Sequence, residues 1–180
     1  MVNTSSFGPD SPLYIGALKD TPVGDLWIAV TAQGLAAVEW AESETKFGEF
    51  LTRRFKRPIK PDPQKTAEAA AQIRQYLEGK RRQFTLPIDW SLLRPYQRQV
   101  LQITFAIPYG ETRTYGDIAA QMGNSRAARA VGRAQATNPM PLVIPCHRVV
   151  GCDGKLHGYG GGNGLPTKEW LLKMEGALMA

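Results

Sequence analysis

Three short apolar runs separated by turn residues open the chain. They cover residues 13–18, 26–31 and 35–40, and Gly24-Asp25 and Gln33-Gly34 stand between them. Runs of this length, rich in Leu, Ile and Val and bounded by Gly and a polar residue, are typical of β-strands joined by tight turns. We therefore predict a small antiparallel meander in the first part of the chain.

A helix is predicted after the meander. No Gly or Pro interrupts residues 65–78, and Gly79 follows at the position where a helix would end. Apolar side chains recur at helical spacing within this segment, at Ala69, Ile73, Tyr76 and Leu77. The basic runs at 53–57 and 80–82 stand beside acidic residues and are interpreted as solvated surface.

The composition changes near residues 86–95, where Pro87 and Pro95 bracket a short connection. We predict a domain boundary there, with an N-terminal α/β domain over residues 1–90 and a C-terminal domain over residues 91–180. Pro95 suits the first position of a helix. The fold class expected is α+β, with a small antiparallel sheet first and mainly helices afterwards.

Two adjacent helices joined by a short turn are predicted in the second half. Thr114 and Asp117 have the spacing of a capping box, and Gly123 is placed to stop the helix that they begin. Ser125 is expected to cap a second helix immediately afterwards. A helix, a turn of about three residues containing Gly, and a second helix form the pattern of a helix-turn-helix.

The second of these helices carries a basic ridge. At about 100° per residue, Arg126, Arg129 and Arg133 fall within about 60° of one another. The adjoining stripe is small and apolar and consists of Ala127, Ala130, Val131 and Ala134. Such a helix is suited to contact with nucleic-acid phosphates, although a solvated surface helix has the same pattern.

Charge favours a nucleic-acid partner. The 180 residues are 43% apolar and carry a formal charge of +6, which suits one globular domain or two small ones. Residues 1–89 carry 12 Lys and Arg against 11 Asp and Glu, whereas residues 90–180 carry 10 against 5. The basic surplus thus accompanies the predicted helix-turn-helix. We expect no targeting segment and no membrane span, and therefore a protein of the cytoplasm.

All the cysteine and histidine of the chain lies in one short segment. The two Cys and two His are Cys146, His147, Cys152 and His157. A small core hydrophobe is the ordinary role of a Cys beside an apolar run, but the basic neighbours His147 and Arg148 favour the reactive thiolate at Cys146. Zinc is a further alternative for the four residues, although their spacing lacks the short hairpin of structural zinc sites.

His147 is the candidate base for Cys146. Adjacent residues in an extended segment point to opposite sides, so the expected proton route is a bridging water rather than direct contact. An imidazole base also needs an acid that orients its other nitrogen. The acids of this half are Glu111, Asp117, Asp153, Glu169 and Glu175, and the sequence does not choose among them.

Five motifs stand out in the second half of the chain, at residues 107–112 (IPYGET), 127–132 (AARAVG), 144–149 (IPCHRV), 158–162 (GYGGG) and 168–172 (KEWLL). Together they resemble the O6-alkylguanine-DNA alkyltransferases, also called methylated-DNA-protein-cysteine methyltransferases. The resemblance covers nearly the whole chain, with weaker matches at residues 21–24 and 34–40. It implies a ribonuclease H-like fold for the N-terminal domain.

The resemblance implies a C-terminal domain that binds DNA and repairs it in a single, irreversible step. Cys146 would take the alkyl group from O6 of guanine, or from O4 of thymine, and keep it as a thioether. His147 would deprotonate Cys146 through water, and Glu175 would orient His147. Tyr115 would donate a proton to the departing base, and Asn138 would hold the active-site turn to the helix-turn-helix.

Base flipping from a duplex bound at its minor groove is also implied. Arg129 matches the arginine that enters the vacated base stack. The implied DNA-binding residues are Tyr115, Gly116, Asn124, Ser125, Arg126 and Arg129, and the implied pocket residues are Pro141, Val149, Tyr159 and Gly160. No metal and no cofactor is implied. The expected partner is double-stranded DNA that contains alkylated bases, bound by a monomer, with cooperative binding left open.

Some positions depart from the family pattern. Gly160 stands where some relatives carry a hydroxyl group that can bond the guanine O6, and the loop at residues 162–166 is slightly longer than usual. Cys152 has no implied role. Two other functions stay open at this point. One is a non-catalytic sensor of alkylated DNA, a class that lacks the acceptor cysteine, and the other is a Cys/His hydrolase that works through an acyl intermediate.

Overall fold

The computed structural model describes residues 11–178. Contacts divide the chain into two compact units, the first ending at Leu92 and the second beginning at Leu93. The expected absence of a targeting segment concerns residues 1–10, which lie outside the described residues. Within residues 11–178, no helix is both long enough and apolar enough to cross a membrane.

The first unit is built on a four-stranded sheet. Its strands are β1 (Leu13–Leu18), β2 (Leu26–Thr31), β3 (Gly34–Glu39) and β4 (Ile59–Pro61), in the order β3-β2-β1-β4. Antiparallel pairing of β1 with β2 and of β2 with β3 confirms the predicted meander. The short strand β4 was not predicted, and it pairs parallel to β1, so the sheet is mixed.

Two helices complete the first unit. Helix α2 (Pro63–Leu77) confirms the predicted helix, and Gly79 follows it with φ 71°, in the left-handed region. Helix α1 (Glu44–Phe55) was not predicted from the sequence. It buries only two side chains, Phe47 and Leu51. Two buried apolar positions are too few to indicate a helix among the charged residues around them.

The second unit is mainly helical. It contains α3 (Pro95–Phe105), α4 (Tyr115–Gln121), α5 (Ala128–Ala136), α6 (Leu165–Met174), and a parallel pair of two-residue strands, β5 (Arg113–Thr114) and β6 (Val149–Val150). Pro95 stands in the first turn of α3, as predicted. The buried side chains of Val100, Ile118, Val131, Ala134 and Val149 belong to one core cluster. This cluster fixes α3, α4 and α5 against one another, because burial of each large apolar side chain contributes about 1.5–3 kcal/mol.

Helices α4 and α5 form the predicted helix-turn-helix. The Thr114 hydroxyl accepts a hydrogen bond from the Asp117 amide at 3.0 Å, and the Asp117 carboxylate accepts one from the Thr114 amide at 2.7 Å. These two bonds are the predicted capping box. Gly123 has φ 79° and lies in the turn after α4.

The start of the second helix differs from the prediction. Asn124, not Ser125, caps the 3-10 turn before this helix, because its side-chain oxygen accepts from the Arg126 amide at 3.2 Å, and no side chain caps α5 itself at Ala127. A 3-10 turn, Ser125–Ala127, precedes α5. Arg126 therefore lies before the α-helix. Of the three arginines of the predicted basic ridge, only Arg129 and Arg133 lie on α5.

Candidate active site

Cys146 begins a single turn of 3-10 helix, Cys146–Arg148. The sequence-based interpretation of this segment as extended is therefore wrong. The Arg148 amide donates to the Pro145 carbonyl at 2.9 Å, and this bond winds the chain. Adjacent side chains of a 3-10 helix diverge by about 120°, so Cys146 and His147 still leave the backbone in different directions.

Asn138 connects the end of α5 to the turn that precedes Cys146. Its Nδ2 donates to the Ile144 carbonyl at 3.0 Å, and its Oδ1 accepts from the Met140 amide at 2.9 Å. Between these contacts Leu142 adopts φ 71°, a conformation that costs a residue with a side chain about 1–3 kcal/mol. The Asn138 bonds therefore stabilise the strained backbone that leads into the thiol.

The Cys146 side chain is buried, with 9% of the residue exposed. Burial raises the pKa of its thiol above the ordinary value, while a hydrogen bond from the Asn138 side chain and the charge of Lys168 lower that pKa. The sequence predicts that Arg148 favours the thiolate, and the structure corrects this expectation. Arg148 is buried, and its charge is paired with Glu175.

Lys168 is a buried cation that the sequence did not reveal as part of the site. Its Nζ donates to the Val149 carbonyl at 2.6 Å and to the His157 carbonyl at 3.0 Å. Burial lowers the pKa of Lys168 to about 8, although the negative charge of a Cys146 thiolate raises it. The KEWLL motif contains this lysine, but a lysine on a helix is ordinarily exposed, so its burial was visible only in the fold.

His147, Arg148 and Glu175 form a buried polar cluster. His147 Nε2 lies 2.9 Å from Glu175 Oε1. Arg148 binds both carboxylate oxygens, with Nε to Oε2 and Nη2 to Oε1 each at 2.9 Å, and its Nη1 donates to the Ile107 carbonyl at 2.6 Å. Of the five acids that the sequence left open, Glu175 is thus the one that contacts His147.

The cluster determines the protonation of its members. Burial by itself raises the pKa of Glu175, but hydrogen bonds and charge from His147 and Arg148 hold it well below its ordinary value. The pKa of His147 is lowered, chiefly by burial and also by the charges of Arg148 and Lys168, although Glu175 acts to raise it. A carboxylate only accepts hydrogen bonds, so the neutral imidazole carries its hydrogen on Nε2. The atom of His147 that can accept a proton is therefore Nδ1.

A cavity of about 150 Å³ adjoins the thiol. Its lining consists of Tyr115, Gly132, Gln135, Ala136, Cys146, Gly158, Tyr159 and Gly160. Among the predicted pocket residues, Tyr159 and Gly160 are in this lining, whereas Pro141 and Val149 are buried and are not in it. The cavity is smaller than the roughly 300–1,000 Å³ of pockets for drug-sized ligands, so it suits a compact group. Another cavity, of about 410 Å³, lies in the first unit and has no Cys or His in its lining.

Tyr115 is the first residue of α4 and forms part of the cavity wall. Its hydroxyl donates to the His157 carbonyl at 3.4 Å. Burial raises the pKa of Tyr115, and the charge of a Cys146 thiolate raises it further. The phenol is therefore protonated at neutral pH and can donate a proton inside the cavity. Gly132 on α5 faces this ring, because a Cβ at Gly132 would lie 3.9 Å from two of its carbon atoms.

The predicted DNA-binding residues lie on and before the two helices of the helix-turn-helix. Gly116 is half-buried on α4, and Asn124, Ser125, Arg126 and Arg129 are exposed. The Arg129 side chain makes no hydrogen bond or ion pair with any residue from 11 to 178 and is available to a partner. This surface is basic and exposed, and the same two helices contribute Tyr115 and Gly132 to the lining of the cavity that contains the thiol.

Cys152 and His157 lie in an exposed loop. His157 Nε2 is 3.1 Å from Asp153 Oδ1, whereas His147 is buried against Glu175. The four possible zinc ligands therefore do not converge on one point. Across residues 11–178, no group of three or more His, Cys, Asp and Glu side chains is arranged to hold a metal ion.

Comparison with known families covers both units. The model of the 6-O-methylguanine DNA methyltransferase ribonuclease-like domain matches residues 13–90, and the model of the DNA binding domain of the same family matches residues 95–177. The methylated-DNA-protein-cysteine methyltransferase of Methanosarcina acetivorans is 36% identical over 165 residues, which are 89% of this chain and 97% of that protein. The enzyme of the same name from Salmonella typhimurium is 37% identical over 165 residues, 88% of this chain and 94% of that protein.

A solved structure shares the fold. The crystal structure of Mycobacterium tuberculosis OGT in complex with DNA superposes with a TM-score of 0.72 at 34% identity, and the match covers 92% of this chain and 93% of that one. Together with the ribonuclease-like match, it confirms the predicted α+β architecture. The chain belongs to the 6-O-methylguanine DNA methyltransferase family.

Proposed function

We propose that this chain repairs DNA by transferring the alkyl group of O6-alkylguanine, and also of O4-alkylthymine, to Cys146. The relatives that carry the name methylated-DNA-protein-cysteine methyltransferase support this reaction. The observation that carries the proposal is the position of Cys146 in the wall of a small cavity that is lined partly by the helix-turn-helix. A thiol in that position can reach a single base that leaves the duplex.

The transfer begins with deprotonation of the thiol. Neutral His147 accepts the proton at Nδ1 through a bridging water, because the two side chains diverge along the 3-10 turn. Glu175 stabilises the imidazolium that results, since its carboxylate stays ionised. Asn138 and Lys168 stabilise the thiolate by a hydrogen bond and by charge, which opposes the effect of burial on the thiol pKa.

In the second step the thiolate sulfur attacks the alkyl carbon. The new S–C bond forms as the C–O6 bond breaks, and the guanine leaves as an anion unless it is protonated. Tyr115 supplies that proton, because its raised pKa keeps the phenol protonated until the base departs. The product is a thioether, which has no easy hydrolysis, so each molecule reacts once.

Access to the base requires a flipped nucleotide, at a cost of a few kcal/mol in unstacking that a damaged pair reduces. Arg129 is exposed on α5 and enters the stack in place of the base in this proposal. Gly116, Asn124, Ser125 and Arg126 contact the DNA backbone around it. Small residues on α5 let the helix approach the minor groove closely. Pro141 and Val149 are buried outside the observed lining, so the proposed pocket is limited to the residues that line the cavity.

The proposal assigns DNA binding and alkyl acceptance to residues 91–180 and an α/β domain to residues 1–90. The crystal structure of the Mycobacterium tuberculosis relative with DNA supports DNA as the partner, and we propose that this DNA is double-stranded. We propose a monomer without metal or cofactor, active in the cytoplasm as expected for a DNA-repair protein of bacterial or archaeal type. Whether neighbouring molecules bind DNA cooperatively is measured by the dependence of binding on duplex length.

The deciding experiment is the stoichiometry of transfer. The protein is incubated with an excess of duplex containing O6-methylguanine, and peptide masses are measured afterwards. We expect transfer to stop at one methyl group per protein, with the added mass on the Cys146 peptide. Cys152→Ser serves as the matched control and should react normally. Repeated turnover would support a Cys/His hydrolase and overturn the proposal.

The Cys146→Ala variant separates binding from chemistry. It should lose transfer and still bind alkylated duplex, and so behave like a non-catalytic damage sensor. If the variant loses binding to the duplex as completely as it loses transfer, the proposed separation of the two functions is wrong.

A further inference from the structure

The loop that follows β6 is closed at its base by Lys168. The Nζ of Lys168 donates to the Val149 carbonyl at 2.6 Å and to the His157 carbonyl at 3.0 Å, so one side chain joins the two ends of the loop. The His157 carbonyl also accepts from the Tyr115 hydroxyl at 3.4 Å. The next three residues, 158–160, line the cavity beside the acceptor thiol. The position of this one carbonyl is therefore part of the geometry of the active site.

A second contact within the loop holds the side chain of His157. Its Nε2 lies 3.1 Å from Asp153 Oδ1. The same carboxylate oxygen accepts from the Lys155 amide at 3.0 Å. Gly151 lies against both side chains, because a Cβ at this position would overlap the imidazole and the carboxylate. We call the contact between Asp153 and His157 the loop clip.

We propose that the loop clip positions the His157 carbonyl for Tyr115 and so orients the phenol before a base enters the cavity. His157 is a positioning residue, since the residue is not part of the cavity lining. The hydrogen bond from Tyr115 is long, so a small displacement of the carbonyl is enough to lose it. A proton donor that is already oriented loses less freedom when it acts. The inference rests on the proposed function, in which Tyr115 protonates the departing base.

The strength of the loop clip should depend on pH. Histidine ordinarily changes its charge between about pH 5 and about pH 8. A protonated His157 forms an ion pair with Asp153, whereas a neutral one forms only a weaker, uncharged hydrogen bond. The pKa of Asp153 is lowered, chiefly by the hydrogen bond from the Lys155 amide and also by His157, so the carboxylate stays ionised. The clip is therefore tighter on the acidic side of this range.

The other titratable groups around His157 are Lys155 in the loop, Tyr115 on α4 and Lys168 on α6. Burial raises the pKa of Tyr115, so the phenol stays neutral. Burial lowers the pKa of Lys168 to about 8, so its charge is lost on the alkaline side. Comparison of a variant with the wild-type protein at the same pH removes these contributions, because variants at positions 153 and 157 retain all three groups.

The test measures methyl transfer from a duplex that contains O6-methylguanine at a series of pH values. His157→Gln keeps a hydrogen-bond donor and removes the charge, so it reproduces the neutral clip. Its rate should be about three- to fivefold below the wild-type rate at about pH 6, the size expected for an exposed ion pair, and nearly equal to it at about pH 8. Asp153→Asn removes the other charge and should show the same pH-dependent loss.

His157→Lys separates the charge from the packing of the loop. It retains a cation at every pH of the series and should react faster than His157→Gln at about pH 6. If the two variants react equally slowly there, the shape of the imidazole rather than its charge is responsible, and the inference is overturned. The loop opens without unfolding of the unit, so each variant should keep the free energy of unfolding within about 1 kcal/mol of the wild-type value.

A double substitution tests the route through Tyr115. In Tyr115→Phe the hydroxyl is absent, so the addition of His157→Gln should cause no further loss of rate at about pH 6. A further loss of the same size as in the wild-type background would show that the clip acts elsewhere and would overturn the inference.

A contact between His157 and a DNA phosphate is the competing explanation. The loop clip acts on the phenol, so it predicts the same ratio of rates for the duplex and for the free O6-methylguanine base. A loss in His157→Gln that is confined to the duplex would assign the imidazole to DNA and overturn the inference. Asp153→Asn would then react faster than the wild-type protein, since it removes a negative charge beside the phosphate.

Failure of the inference and failure of the proposed function give different results. A His157→Gln variant that reacts at the wild-type rate throughout, or whose loss is the same at every pH, overturns the loop clip while methyl transfer itself stands. Absence of methyl transfer by the wild-type protein at every pH overturns the proposed function, and this inference with it.

Discussion

Arg148 and Glu175 form a bidentate ion pair in the interior of the second unit. Two nitrogens of the guanidinium each lie 2.9 Å from a carboxylate oxygen, and Oε1 is shared with His147. The Arg148 guanidinium also lies 5.8 Å from the centre of the Tyr109 ring. This pair holds the carboxylate in one orientation, so that it faces the Nε2 of His147 and leaves Nδ1 as the basic atom.

Loss of the guanidinium should destabilise the fold. In Arg148→Met the Glu175 carboxylate stays buried without its cation, and removal of one partner of a buried pair costs about 3–5 kcal/mol. Urea denaturation measures the change in the free energy of unfolding. The matched control is Arg113→Met, because Arg113 pairs with Glu111 at 2.8 Å on the surface, where such a pair contributes about 1 kcal/mol or less. Equal effects of the two substitutions would contradict the prediction.

Stability should decrease as the pH falls below about 6.5. The pKa of His147 is lowered in the folded state from an ordinary value of 6.5. As the pH falls, His147 is therefore protonated in the unfolded chain before it is protonated in the folded protein, and this protonation favours unfolding. The pKa of Glu175 is also lowered, and its contribution, present above about 4.5, is lost below that pH. Each of the two groups decreases the free energy of unfolding by up to about 1.4 kcal/mol for each pH unit below its ordinary pKa.

Urea denaturation from about pH 8 to about pH 4 measures these slopes. His157→Gln is the control and should show the same decrease, because its imidazole is exposed rather than buried against Glu175. A free energy of unfolding that stays constant or rises from about pH 7 to about pH 5 would contradict the assignment of a buried neutral His147.

Replacement of Lys168 should slow methyl transfer. Lys168→Met removes the cation that lowers the pKa of the Cys146 thiol, so less thiolate forms at neutral pH, and we expect a rate about tenfold lower. The loss should diminish as the pH is raised, since hydroxide then deprotonates the thiol without help. Lys173→Met on the same helix is the control, because Lys173 is exposed and pairs with Glu169. A loss that is the same at every pH would indicate a purely structural role for Lys168.

Arg129 and Arg133 should differ in their effects. Arg129→Ala should slow repair of duplex DNA by about tenfold or more and leave the reaction with a free O6-alkylguanine base nearly unchanged, because only the duplex needs a group to replace the flipped base. Arg133→Ala should weaken binding uniformly across sequences and reduce its salt dependence, as expected for a phosphate contact. Equal losses on duplex and on free base in Arg129→Ala would reject the intercalating role.

The elements predicted well have strong local signals. The strands at 13–18 and 26–31 are apolar runs between glycine turns, and the first helix of the helix-turn-helix has a capping box within four residues. Helix α1 and strand β4 were missed because their stability comes from contacts with the sheet rather than from a long apolar period. The sequence predicts Ser125 as a cap, although Asn124, one residue earlier, is an equally good capping residue.

The sequence by itself determined the chemistry available in this protein. Only one segment contains Cys and His, and its motifs identify the family and the acceptor thiol. The tertiary structure decided which groups act on that thiol, since burial and long-range contacts change the meaning of a charged residue. The sequence alone does not reveal that Arg148 and Lys168 are buried, yet in the fold Arg148 pairs with Glu175 and Lys168 lies near Cys146.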